Sequence, residues 1–186
     1  MKNKEKKKKV LFISSTGGHL NELLQLSPLF EKYDSYIITE KDKANENLKN
    51  VYGEKLYFLP YGTRAKLFTY IFKYLFLCFK TIYLYAKIRP KVIVTTGTHT
   101  AGPMCILGKI CRSKIIYIET FANTNKKTAT GRLIYPIADL FIETFANRNS
   151  KTATGKLVYK FADLFIVQWE EMLKIYPKAV YGGSIY

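Results

Sequence analysis

Histidine and cysteine are scarce, with two of the former and three of the latter among 186 residues. Neither His19 nor His99 stands in a Cys/His cluster, so no structural zinc site is expected and no resident metal or cofactor is implied. Cys78, Cys105 and Cys111 are odd in number, lie in apolar surroundings and show no CxxC spacing. They read as reduced core residues of a cytosolic protein rather than a disulfide framework. Acidic residues are few as well: 14 Asp and Glu against 30 Lys and Arg leave a formal charge of +16. Such an excess implies an anionic partner: phospholipid, a pyrophosphate-linked substrate or nucleic acid. No GxGxxG fingerprint, nucleophile elbow or HExxH occurs, which disfavours a dinucleotide enzyme and a complete small hydrolase or transferase. The length leaves no room for two nucleotide-binding domains.

What is present is a succession of short apolar runs. Lys9–Ser14, Ser35–Thr39, Lys55–Leu59, Lys91–Thr95, Lys114–Glu119 and Leu164–Gln168 read as strands. Most are continuous rather than alternating, the pattern of a parallel sheet covered on both faces. Helical stretches are expected over Leu20–Phe30, Ala101–Cys111 and Glu170–Ile175, and Asp42–Asn50 reads as a polar loop. The fold class is therefore α/β, a doubly wound Rossmann-like parallel sheet over residues 10–186, preceded by a basic tail, residues 1–9. That tail is either a solvated charge run or a segment drawn to an anionic leaflet.

Residues 64–89, RAKLFTYIFKYLFLCFKTIYLYAKIR, are long enough to span a bilayer as a helix. Their charges argue otherwise. Lys66, Lys73, Lys80 and Lys87 recur every seven residues and so form one stripe along a helix. A spanning helix would bury Lys73 and Lys80. An interfacial helix instead lets the lysines reach headgroups while Phe72, Phe76 and Phe79 meet the acyl boundary. The alternative is a helix packed wholly on the sheet with its lysines in water.

Two glycine-containing turns follow strands and lead into helices. Ser14-Ser15-Thr16-Gly17-Gly18-His19 follows the first, and Thr95-Thr96-Gly97-Thr98-His99-Thr100 the fourth. Glycines allow tight turns, and the amides that follow can hold a phosphate or sugar oxygen. With strands ordered 3-2-1-4-5, both histidines reach the crevice where open α/β sheets bind ligands. Glu119, after the fifth strand, joins the same rim. The competing assignment for each histidine is a loop-bonded or helix-capping residue.

Residues 118–141, IETFANTNKKTATGRLIYPIADLF, are followed at once by 142–165, IETFANRNSKTATGKLVYKFADLF, with 18 of 24 positions identical. Two units are too few for a solenoid. A tandem duplication of one βα element is the better account, in which a single copy occupies the fold position and the other sits at an edge or on the surface. Glu143 is the duplicate of Glu119, so either supplies the rim carboxylate.

SSTGGHLNELLQL, VTTGTHTAGP, the IETFAN loop and ADLFIVQWEEMLKIYPKAVYGGSIY together resemble the PssD/CpsF-like capsular polysaccharide proteins. These are kin to the membrane-bound half of the split N-acetylglucosaminyltransferase of dolichol-linked oligosaccharide synthesis. More distantly, the chain is similar to the N-terminal domain of MurG. The resemblance implies the N-terminal, acceptor half of a GT-B glycosyltransferase at the cytoplasmic face of the cell membrane, peripheral or monotopic. It also implies a separate donor-binding subunit as partner, a UDP-sugar donor and a polyprenyl-pyrophosphate sugar acceptor, with no nucleic acid. His19 matches the family's GGH histidine and is the expected catalytic or acceptor-touching residue. Thr16, Gly17, Gly18, Thr96, Gly97, His99 and Glu119 or Glu143 are the expected acceptor- and phosphate-binding positions.

Overall fold

The computed structural model describes residues 7–60, 67–97, 100–118, 133–143, 159 and 162–183. Eight strands form one sheet in the order β3-β2-β1-β4-β5-β6-β7-β8, every pair parallel. The strands are β1 Lys9–Ile13, β2 Asp34–Glu40, β3 Leu56–Leu59, β4 Val92–Thr95, β5 Lys114–Ile118, β6 Leu140–Glu143, β7 Leu164–Val167 and β8 Val180–Tyr181. Lys9 thus belongs to the sheet rather than to the basic tail. The chain steps outward from β1 to β3, returns to pair β4 with β1, and then steps the other way. Right-handed crossovers place the two series of connections on opposite faces.

One face is closed by helix α1 (Gly18–Leu24), α2 (Ser27–Lys32) and α3 (Leu48–Tyr52). Leu23, Phe30 and Tyr52 pack there on Val10, Phe12 and Ile37, with the Phe12 and Phe30 rings 4.5 Å apart. The other face is closed by α4 (Leu67–Ile88) and α5 (Gly102–Ile110). Leu84, Tyr85, Ile88, Met104 and Cys105 cover Leu11, Ile13, Ile38 and Ile93. The chain therefore buries two apolar layers, which is why its strands read as unbroken hydrophobic runs.

Several expectations are corrected. The helix expected over Leu20–Phe30 is two short ones, because Pro28 has no amide hydrogen to continue the first and instead sits in the opening turn of α2. Asp42–Asn50 is not simply loop: Asp42 and Asn45 form a capping box around a 3-10 turn, and Leu48 opens α3. Glu170–Lys174 is a 3-10 helix. Of the cysteines only Cys105 is in the core, where burial pushes its thiol up to about 12; Cys78 is partly buried and Cys111 exposed.

The repeat departs most from expectation. Neither strand that the copies contribute is a surface excursion. The first copy ends in β6 and the second in β7, and both pair within the sheet. Ile116, Leu140 and Leu164 align laterally, as do Tyr117, Phe141 and Phe165, and Ile118, Ile142 and Ile166. A period of 24 residues therefore equals one complete strand-to-strand step. The rings follow the same ladder: Tyr117 stacks on Phe141 at 5.6 Å, and Phe141 on Phe165 at 5.2 Å.

Helix α4 presents two apolar sides. Leu77, Leu84 and Ile88 are buried, whereas Phe72, Leu75, Phe76, Phe79, Ile82 and Tyr83 are exposed. At about 100° per residue the lysines fall on the flank between these sides. Lys73 is exposed and Lys80 half-buried, while Lys87 extends over the Tyr57 ring, 5.0 Å from its centre. Tyr57 also raises the Lys87 ammonium above its ordinary value, chiefly by a hydrogen bond. Lys66 lies outside the described residues. The helix ends where Arg89 turns to φ 51 ahead of Pro90. No helix among the described residues is long and apolar enough to cross a membrane.

Candidate functional site at the carboxyl rim

The switch point lies between β1 and β4. After β1 the chain must turn at once into α1, and Gly17 makes that turn at φ 73, a conformation that disfavours side chains. Gly18 needs no such freedom: a Cβ built there meets nothing within 4 Å. The fold alone thus gives no reason for glycine at 18, while the space above it suits a ligand that approaches the backbone. Thr16 is partly buried beside the turn, its carbonyl accepting from Ser15 Oγ at 3.3 Å.

After β4, Thr96 and Gly97 are buried. Gly97 adopts φ 99, and an added Cβ would lie 2.7 Å from the Tyr117 hydroxyl, so glycine is required twice over. The turns after β1 and β4 are joined reciprocally. Thr96 Oγ1 donates to the His19 carbonyl at 2.9 Å, and His19 Nδ1 lies 3.1 Å from the Thr96 carbonyl. A carbonyl only accepts, so Nδ1 carries the hydrogen and Nε2 presents its lone pair. Burial pushes the imidazole below its ordinary 6.5, outweighing the upward pull of the Thr96 carbonyl. His19 is therefore held neutral near pH 7, in one tautomer, with a basic nitrogen available.

Of the other expected site residues, His99 and Glu119 lie outside the described residues. Glu143 ends β6 opposite Val167, two strands beyond β4, and its side chain is likewise outside the described set. The structure thus brings together Thr16, Gly17, Gly18, His19, Thr96 and Gly97. It adds residues that the sequence reading passed over. Thr39 Oγ1 donates to the Ser15 carbonyl at 3.3 Å, and the buried Glu40 accepts from the Thr100 hydroxyl. An acid directly after an apolar strand was the visible signal for Glu40.

The parallel sheet, its order and the rim between β1 and β4 define one Rossmann-like half of the GT-B architecture. UDP-N-acetylglucosamine 2-epimerase from Rickettsia bellii superposes with a TM-score of 0.63 at 16% identity, over 91% of this chain and 46% of that one. MurG from Acinetobacter baumannii gives 0.59 at 17%, over 75% and 42%. At these identities the likeness is one of fold, and the chain spans less than half of either structure. In sequence, a family model described as "Oligosaccharide biosynthesis protein Alg14 like" matches residues 10–142 and 140–185. This chain belongs to that family. Candida albicans "UDP-N-acetylglucosamine transferase subunit ALG14" is 26% identical over 97% of this chain and 82% of its own length. The Homo sapiens protein of the same name is 23% identical over 95% and 82%.

Proposed function

We propose that the chain is the membrane-surface, acceptor-side subunit of a two-chain glycosyltransferase. A separate subunit binds the UDP-sugar, and this one presents a polyprenyl-pyrophosphate-linked sugar at the cytoplasmic face of the membrane. The PssD/CpsF-like resemblance makes the product a polysaccharide precursor such as that of a capsule or exopolysaccharide. The observation that carries the reading is the reciprocal His19–Thr96 pairing at the switch point. It leaves a neutral imidazole with its lone pair on Nε2, one residue beyond the open space over Gly17 and Gly18.

The chemistry follows from that geometry. As the acceptor hydroxyl attacks the anomeric carbon of the donor, its oxygen–carbon bond forms and the bond to the UDP phosphate breaks. The hydroxyl proton passes to His19 Nε2. Gly17 and Gly18 let the acceptor pyrophosphate approach the backbone, and Thr16 and Thr96 line the rim beside it; His99 and Glu119 or Glu143 complete the proposed acceptor set. Phe72, Phe76 and Phe79 on α4 enter the interface, with Lys66, Lys73, Lys80 and Lys87 along the headgroup flank.

The test is reconstitution. The chain alone, and together with its donor-binding partner, is assayed for transfer from UDP-sugars to a polyprenyl-pyrophosphate sugar. Transfer by the pair and none by the chain alone is expected; full turnover by the isolated chain, or none by the pair, refutes the half-enzyme reading.

A further inference from the structure

Glu40 ends β2, the strand beside β1, and is only 2% exposed. A buried carboxylate is costly unless hydrogen-bond donors hold it, so its partners show what it is tied to. Its Oε1 accepts from the hydroxyl of Thr100, itself wholly buried. Its backbone carbonyl accepts from Asn45 Nδ2 at 3.0 Å. Asn45 Oδ1 in turn accepts from the Asp42 amide at 3.0 Å, so Glu40 is rooted in a closed turn rather than in a loose rim. Thr100 stands just before α5, at the far end of the turn that begins with Thr96. That turn is thus held at both ends: by His19 on Thr96 and by Glu40 on Thr100. Between them Gly97 is confined, its amide donating to Thr95 Oγ1 at 3.0 Å and the Tyr117 hydroxyl standing where a Cβ would be.

We propose that Glu40 is a positioning residue for sugar transfer: through Thr100 it fixes the β4–α5 turn, and with it the Thr96 carbonyl that sets the tautomer and direction of His19. The inference rests on the reading of His19 as the base at the rim. Releasing the Thr100 end allows the Thr96 carbonyl to drift, and misplacement by about 1 Å costs on the order of a hundredfold in rate.

The experiment compares Glu40→Leu, Glu40→Gln, Thr100→Val and Thr100→Ser in the assembled two-chain enzyme. Glu40→Leu and Thr100→Val should lower kcat at least about tenfold with KM for the UDP-sugar within about twofold. Glu40→Gln and Thr100→Ser keep an acceptor and a donor in place and should restore most of the rate. A second readout needs no activity: nitrogen-15 NMR of His19 in the full chain at neutral pH. One fixed tautomer, protonated at Nδ1, is expected in the wild type, Glu40→Gln and Thr100→Ser, and a mixture in Glu40→Leu and Thr100→Val. Wild-type kcat or a fixed tautomer in a folded Glu40→Leu variant overturns the proposal. So does a Glu40→Gln variant as slow as Glu40→Leu, since the charge would then act directly. If the Leu and Val variants both fail to fold while Gln and Ser fold, the Glu40–Thr100 hydrogen bond is a support of the fold and the proposal falls. Absence of transfer by the wild-type pair would sink the functional reading alone, because the NMR comparison still decides the role of Glu40.

Discussion

Excising residues 118–141 joins Tyr117 to Ile142 and recreates IYIETFAN from the second copy. The structure gives the consequence in detail. Leu140 and Phe141 of β6 are removed and Ile142 takes the place of Ile118 at the end of β5, so β5 must pair directly with β7. Because Tyr117, Phe141 and Phe165 already align laterally, this closure needs no shift of register. Phe165 takes over the stack on Tyr117 that Phe141 makes at 5.6 Å. Asp163 takes the sequence place of Asp139, whose carboxylate accepts from the Ile115 amide at 2.8 Å and bridges Lys114 at 3.0 Å and Lys109 at 3.1 Å. At an average share of about 0.05–0.15 kcal/mol per residue, a unit of this size carries about 1–4 kcal/mol of net stability. Each kcal/mol moves Tm by about 2–4 °C in a domain of this length, so a shift of no more than about 16 °C is expected. Calorimetry and circular dichroism of the shortened chain measure it, and assay with the partner should show transfer retained. An insoluble product, or a Tm lower by more than about 20 °C, would refute the interchangeability of the two copies.

Phe79 is 70% exposed on α4, so Phe79→Ser should leave Tm unchanged yet forfeit about 2 kcal/mol of interfacial burial, weakening binding to anionic vesicles roughly 30-fold by co-sedimentation. Reversing Lys73 and Lys80 to Glu should weaken vesicle binding further and reduce its salt dependence, with a normal circular dichroism spectrum; unchanged binding would contradict the interfacial helix. His19→Ala should lower transfer by the pair by more than about tenfold. With the folded imidazole below 6.5, the unfolded chain takes up this proton first, so the His19 contribution to stability, present above pH 6.5, is lost as pH falls toward the folded value. The rate should likewise hold down to pH 6.5 and fall only beneath it; a break above that pH would refute the assignment. Gly97→Ala, strained at φ 99 and crowded by Tyr117, should destabilise the fold by about 1–3 kcal/mol, whereas Gly18→Ala should fold normally and lose transfer only.

The central strands were legible because they are covered on both faces and so leave unbroken apolar runs, as in Leu11-Phe12-Ile13 or Ile115-Ile116-Tyr117, whereas β8, exposed at both positions, leaves none. The order 3-2-1-4-5 of the first five strands is the one taken for a Rossmann-like sheet, and it puts the turns of His19 and Thr96 side by side. The reciprocal hydrogen bonds that select the His19 tautomer were not legible, since 77 residues separate the partners. Glu40 was missed for the same reason: an acid at a strand end looks solvated until Thr100, 60 residues on, closes over it. Local chemistry misled where it was weighed too lightly, as with Pro28 inside the expected helix and the Asp42–Asn45 box inside the expected loop. The repeat was visible as identity but not as geometry. What decides its placement is that Ile118, Ile142 and Ile166 are apolar at the same lateral position, so a third equivalent strand already waits beyond the two copies. A sheet that grows by whole strand-to-strand units can lengthen without disturbing its far side. β6 adjoins only β5 and β7, whereas His19 and Thr96 follow β1 and β4 and Glu40 ends β2. Strand β6 and the His19–Thr96 pairing are therefore separated by β5, and the sheet can carry both copies while the rim at the switch point keeps its geometry.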